Sequence, residues 1–150
     1  MVLGVCGGYQ LLGHSYELGA EEIPGIGLLD VRTVRSDGPR LIGNVVVQSD
    51  EGVIAGFENH AGHTQLASSQ QPLGRVLRGH GNDGRSGLEG ARRANVIGTY
   101  VHGPLLPKNS WLCDWLTARA LGVEPQALAP LDDSLERAAH AGALRAAGVS

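Results

Sequence analysis

The 150-residue chain is poor in several things that would otherwise set its class. It has only two cysteines, one methionine and one phenylalanine, and aromatic residues make up 4% of it. Cys6 and Cys113 are too few for a disulfide framework, and no C-x-x-C or Cys/His cluster has the spacing of a zinc site. Charged residues are 18% of the chain and the formal net charge is -3, so no basic surface points to nucleic acid or an anionic membrane. No apolar run approaches the roughly 18 residues needed to span a bilayer. The first residues lack the basic lead of a signal peptide. These absences leave one globular domain over residues 1–150, expected in a reducing cytoplasm where a thiol stays free.

What is there begins at the first residues. Val2 to Val5 reads as a buried strand and Gln10-Leu11-Leu12 as part of a helix. Between them Gly4-x-Cys6-x-Gly8 has the G-x-nucleophile-x-G form of a nucleophile elbow, with cysteine as the nucleophile. In such an elbow glycines spare the sharp turn a Cβ clash, and the sulfur is set at a helix N-terminus that favours thiolate. The N–H of Gly7 would face an oxyanion forming on an attacked carbonyl. A structural cysteine in a glycine-rich turn is the competing reading of these residues alone.

The elbow helix is expected from Gly8 or Tyr9 to about Leu18, with Gly19 as its C-cap. Strands are expected over Leu28 to Val34, Leu41 to Gln48, Val53 to Ala55, Arg75 to Arg78 and Val96 to Val101. Gly56 to Thr64 reads as a polar loop, and Gly79 to Gly87 as a hairpin loop with a faint likeness to a phosphate cradle. Helices follow from Trp111 to about Leu121 and from Asp132 or Asp133 to about Ala147. Trp111, Leu112, Trp115 and Leu116 are spaced for core packing, and Cys113 among them is expected to be inert. The order of elements indicates an α/β architecture, unusually rich in strands through its middle.

A thiolate nucleophile needs a group that protonates the departing amine, and histidine is the usual one. Of six histidines, His14 falls on the expected elbow helix, His60, His63 and His80 in loops, and His140 on the last helix. His102 ends a strand and is followed by Gly103-Pro104, a position where α/β sheets put catalytic groups.

Val5-Cys6-Gly7-Gly8-Tyr9-Gln10 resembles the nucleophile motif of class I glutamine amidotransferases, in their cobyric-acid-synthase-like branch. Gly56-Phe57-Glu58-Asn59-His60-Ala61-Gly62 and the block from Asn95 to Asn109 are similar to the glutaminase subunits of lipid II isoglutaminyl synthases. The resemblance implies a flavodoxin-like α/β sheet with helices on both faces, its N-terminal strands lying upstream of Met1. It further implies Cys6 as nucleophile, His102 as general base and acid, Gly7 as an oxyanion donor, Gln10 in the glutamine pocket and Arg40 on the substrate's α-carboxylate. The implied partner is a Mur-ligase-like subunit, in a heterodimer, that uses ATP and amidates the D-glutamate α-carboxyl of lipid II. No metal or organic cofactor is implied on this chain. Many class I enzymes carry a glutamate two residues after the histidine, where this chain has Pro104. Other readings are a cobyric or cobyrinic acid synthase, a cysteine hydrolase or peptidase, and an interaction subunit without catalysis.

Overall fold

The computed structural model describes residues 1–149. In chain order they form β1 (Val2–Val5), α1 (Gly7–Leu12), β2 (Ser15–Leu18), β3 (Glu21–Pro24), β4 (Val31–Arg35), β5 (Leu41–Gln48) and β6 (Val53–His60). Then come β7 (Gly62–Leu66), β8 (Gly74–Arg78), β9 (Leu88–Glu89), β10 (Ala91–Arg93), β11 (Val96–Thr99), α2 (Ser110–Leu121) and α3 (Ser134–Ala147), with a 3-10 turn at Pro125–Ala127 before the last helix. The strands group into three sheets, ordered β1-β11-β10, β3-β2-β4-β7 and β6-β5-β8-β9.

The architecture is α/β, as expected, and the parallel pair β1/β11 carries the elbow. The strand-rich middle makes two further sheets, in which the paired neighbours are antiparallel except β2 and β4. The first and third sheets are joined just beyond β11, where the His102 N–H donates to the Phe57 carbonyl on β6 at 2.7 Å. No helix among the described residues is long and apolar enough to cross a membrane.

Two apolar clusters hold these layers together. One packs Val45, Val47 and Ile54 of the third sheet against Ile97, Val101, Leu112 and Leu116, with Trp111 and Trp115 at its margin. The other gathers Tyr9, Leu12, Leu29, Val31, Ala91 and Tyr100 beneath the elbow. The tryptophans of α2 therefore pack, as their spacing indicates. The side chain of Asn109 does not cap α2; it bridges the N–H and C=O of Ala55 and the carbonyl of Leu105, pinning the helix start to β6.

Two expectations are corrected. The elbow helix stops at Leu12, not Leu18. His14 N–H bonds the Val31 carbonyl at 2.9 Å, so the chain leaves the helix to join β4, and Ser15–Leu18 pairs with Glu21–Pro24 as a hairpin. Gly13 permits the approach, since a Cβ there would stand 2.8 Å from the Val31 carbonyl. Second, Gly56 to Thr64 is not a loop: it comprises the end of β6 and the start of β7. Glu58 and His60 point inward and are buried, which the polar sequence conceals. The loop after β8 supplies the reason, because the N–H groups of His80 and Gly81 donate to the two Glu58 oxygens at 2.6 and 2.9 Å. That glycine-rich turn does cradle an anion, and the anion is the protein's own carboxylate.

Candidate functional site

Pairing with β11 fixes the elbow from below: Cys6 N–H donates to the Thr99 carbonyl at 2.9 Å, and the Cys6 carbonyl accepts from Gln10 N–H at 3.1 Å. Between these two bonds Cys6 is forced to φ 53°, ψ −110°, a conformation costly for a residue with a Cβ. The surroundings show why the local sequence is glycine-rich. A Cβ on Gly4 would lie 2.6 Å from Leu12 Cδ1, and one on Gly98 would lie 1.9 Å from the Tyr9 ring, so both strands are bare where α1 crosses them. Gly7 and Gly8 have open space instead. The steric requirement thus rests on Gly4 and the adjacent strand, not on every glycine of the elbow.

Cys6, Gly7 and Gln10 open into a cleft of about 520 Å³, walled opposite by Tyr16 and Glu17 of β2, by Arg35, Asp37 and Arg40, and by His60, Ala61 and Gly62. Arg40 is oriented by its neighbour on β6. Its Nε donates to Asn59 Oδ1 at 2.9 Å and Nη2 to the Asn59 carbonyl at 3.1 Å. One edge of the guanidinium is thereby fixed, and Nη1 remains for a carboxylate. Of the other nearby arginines, Arg35 shares the cleft, while Arg32 leans toward Glu22 and Ser15 on the surface.

Gln10 is held from behind. Its Nε2 donates to the Tyr100 hydroxyl at 3.1 Å, and a Cβ on Gly62 would come within 2.6 Å of that nitrogen. His60 lies flat on Tyr100, with ring centroids 3.6 Å apart, and its Nδ1 pairs with the Gly62 carbonyl at 2.8 Å. Its Nε2 is 3.9 Å from Glu58 Oε2.

His102 is placed differently. It is not part of the cleft wall, and its Nε2 is shut from solvent without a partner, so no hydrogen bond through that nitrogen reaches Cys6. Burial of the half-exposed ring, and then the charges of His60 and Arg40, hold its pKa below the ordinary histidine value. No carboxylate is among the causes of that shift. The structure therefore brings Cys6, Gly7, Gln10 and Arg40 together in one cleft and leaves His102 beside it, without an acidic partner. Among the described residues no cluster of histidine, cysteine and carboxylate could hold a metal ion.

Sequence reasoning missed Asn59, Tyr100 and His60 as parts of the site. Their only signal was membership of the two blocks Gly56 to Gly62 and Asn95 to Asn109, since nothing in local sequence shows that β6, β7 and the end of β11 converge behind Gln10. His14 forms a surface pair with Asp30 at 2.9 Å. His140 ties α3 to the Lys108 carbonyl at 2.8 Å.

An α/β chain with a backbone-strained cysteine at a strand-to-helix elbow, above a cleft carrying an oriented arginine, has the build of a cysteine-nucleophile elbow protein. The profile of CobB/CobQ-like glutamine amidotransferase domains matches residues 1–110, and the chain belongs to that family. It is similar to the lipid II isoglutaminyl synthase (glutamine-hydrolyzing) subunit GatD of Staphylococcus aureus, 44% identical over 120 residues, which are 79% of this chain and 48% of that protein. The GatD subunit of Streptococcus pneumoniae is 40% identical over 124 residues, 81% of this chain and 48% of its own. A probable cobyric acid synthase of Methanothermobacter thermautotrophicus is 37% identical over 117 residues, 68% of this chain and 23% of that protein. The chain spans about half the length of the GatD subunits it matches.

Proposed function

We propose that this chain carries the glutamine-hydrolysing site of a lipid II isoglutaminyl synthase. The observation that carries the reading is Cys6, strained at φ 53° on the elbow and opening into the same cleft as Arg40. Arg40 takes the α-carboxylate of L-glutamine, which sets the side-chain carboxamide toward Cys6. The sulfur adds to the amide carbon, and the N–H of Gly7 supports the oxyanion. His102 passes the thiol proton to the nitrogen, the C–N bond breaks, and ammonia leaves a γ-glutamyl thioester. Water, giving its proton to His102, then adds to the thioester. The C–S bond breaks, glutamate departs and the thiol is restored. An imidazole with a lowered pKa is neutral near pH 7 and suited to both proton transfers.

The ammonia goes to a Mur-ligase-like partner in a cytoplasmic heterodimer. That partner uses ATP to activate the D-glutamate α-carboxyl of lipid II, and no metal or organic cofactor is needed on this chain. Higher identity to the GatD subunits, over a larger share of the chain, favours this acceptor over the cobyric acid reading. The test is to purify the native protein with whatever ligase subunit accompanies it and supply glutamine labelled with 15N in the amide. Label appearing in amidated lipid II supports the proposal. Glutamate release with transfer to a corrinoid carboxylate moves the site to the cobyric acid synthases, and absence of glutamate release rejects the site altogether.

A further inference from the structure

Between the end of β11 and His102, three successive amides have to be satisfied away from the β1/β11 ladder. That ladder ends at the pair Val5 and Thr99, where the Thr99 carbonyl takes the Cys6 N–H at 2.9 Å. Beyond it Tyr100 N–H donates to Glu89 Oε1 at 2.7 Å, Val101 N–H to Thr99 Oγ1 at 3.0 Å and His102 N–H to the Phe57 carbonyl at 2.7 Å. Thr99 Oγ1 in turn donates to the same Glu89 oxygen at 2.6 Å. Glu89 is fully buried, and among the described residues no lysine or arginine pairs with it. A carboxyl group is costly in such a place, and no step of the reaction uses it. Its own position is fixed, because the N–H and C=O of the next residue, Gly90, bond the side chain of buried Asn82 at 2.9 and 3.0 Å. A Cβ on Gly90 would stand 2.6 Å from the Gly98 carbonyl, so the chain carrying Glu89 lies directly against β11.

We propose that Glu89 is a positioning residue for the glutaminase reaction: by taking the Thr99 hydroxyl and the Tyr100 amide on one oxygen, it locks the end of β11 that carries His102 and keeps that ring partly buried beside the cleft. This inference rests on the glutaminase reading above. The carboxyl group bonds a hydroxyl and a backbone amide, not the imidazole, so it does not stand in for a triad glutamate. Burial is the first cause of the lowered His102 pKa, followed by the charges of His60 and Arg40. An unlocked strand end would admit water to the ring and raise that pKa toward its ordinary value. The titratable side chains around Glu89 are Tyr9 of α1, Glu58 and His60 of β6, and Tyr100, and none of them bonds it. The sign separates unlocking from a charge effect, since removing a nearby negative charge lowers a histidine pKa.

The test follows His102 in the native protein, purified with its accompanying subunit and labelled with 13C at histidine Cε1. The signal is assigned by its loss in His102→Gln. Glu89→Leu fills the space but accepts no hydrogen bond. Its His102 titration is expected to move up toward about 6.5, and the acid limb of kcat/KM for glutamine with it. Its kcat should fall about tenfold or more, part of the roughly 10²–10⁴-fold that a placed acid–base group supplies. Glu89→Gln keeps an oxygen for both donors, so it should leave the titration in place and restore most of kcat. Thr99→Val keeps the β-branched shape without the hydroxyl, and should move the titration up as Glu89→Leu does, even where the leucine variant fails to fold. Loss of packing alone would lower the folded fraction without moving the His102 titration. An unmoved titration in Thr99→Val or in a folded Glu89→Leu, or an equal shift in Glu89→Gln, overturns the inference while the glutaminase reading stands. A wild-type protein that releases no glutamate from glutamine overturns both.

Discussion

Cys6 and Cys113 are both partly buried free thiols, and what separates them is the backbone beneath each. Cys113 lies within the regular turns of α2, whereas Cys6 is held at a positive φ between two backbone hydrogen bonds. Cys6→Ala is therefore expected to abolish glutamate release and leave ammonia-dependent amidation by the partner intact, while Cys113→Ala keeps both. A diazoketone analogue of glutamine should add its mass to Cys6 alone, and labelling of Cys113 at a similar rate would contradict the assignment. In the proposed mechanism Arg40, braced by Asn59, holds the substrate's carboxylate, and Arg40→Ala is expected to lose a charge-assisted contact worth about 1.5–3 kcal/mol, or roughly ten- to a hundredfold in kcat/KM. Steady-state kinetics with glutamine and with free ammonia would separate this from a general loss, because the ammonia reaction should be unaffected. In the mechanism proposed above, His102 sets the pH dependence. The neutral ring is the active form and its pKa is lowered, so the acid limb of kcat/KM for glutamine should fall below the ordinary histidine value of about 6.5. A limb at or above that value would mean that a different group carries the proton. The same shift makes the fold bind fewer protons than the unfolded chain just below the ordinary value, so stability also declines as pH falls through that window.

At the scale of elements, the informative departures come where polar residues face inward. From Gly56 onward β6 alternates, burying Gly56, Glu58 and His60 while Phe57 is exposed and Asn59 half-buried, the period of a half-buried strand. Hydropathy hides the pattern because two of the inward residues are a carboxylate and an imidazole. The burial of Glu58 is tolerable because the turn after β8 brings two N–H groups to it, a contact between residues about twenty positions apart. Glu58→Gln keeps the shape but exchanges one acceptor for a donor facing an N–H. It should cost about 2 kcal/mol. For a chain of this length that is a fall in Tm of about 4–8 °C. Calorimetry on the purified variant reads this directly, and an unchanged Tm would show that the turn does not depend on the carboxylate.

Across the whole molecule, β1 holds an unusual place, because it carries the elbow yet stands at the edge of its three-stranded sheet among the described residues. The amides of Val2 and Cys6 bond to β11, so those of Leu3 and Val5 face the open side. Open strand edges recruit other strands. In the 150-residue chain by itself the Leu3 and Val5 amides should exchange with solvent much faster than that of Cys6, and a strand docking on this edge should protect them. Hydrogen exchange read by NMR decides between the two states. Slow exchange at Leu3 and Val5 without any docked strand would contradict the free edge.

The sequence alone determined the parts whose chemistry is local. The elbow is legible because a strand, a cysteine flanked by glycines and a helix start lie within ten residues, and the later helices because their stops at Gly122 and Gly148 are left-handed caps only glycine adopts freely. The strand Leu41–Gln48 was equally plain, since Val45, Val46 and Val47 favour one conformation wherever they are packed. Tertiary structure decided what depends on distant partners. Leu12 ends α1 because Val31 competes for the chain, Arg40 is aimed because Asn59 braces it, and Gln10 is turned because Tyr100 and Thr64 stand behind it. Each is a hydrogen bond between residues about twenty to ninety positions apart, and such pairings leave no period or spacing to read in the chain.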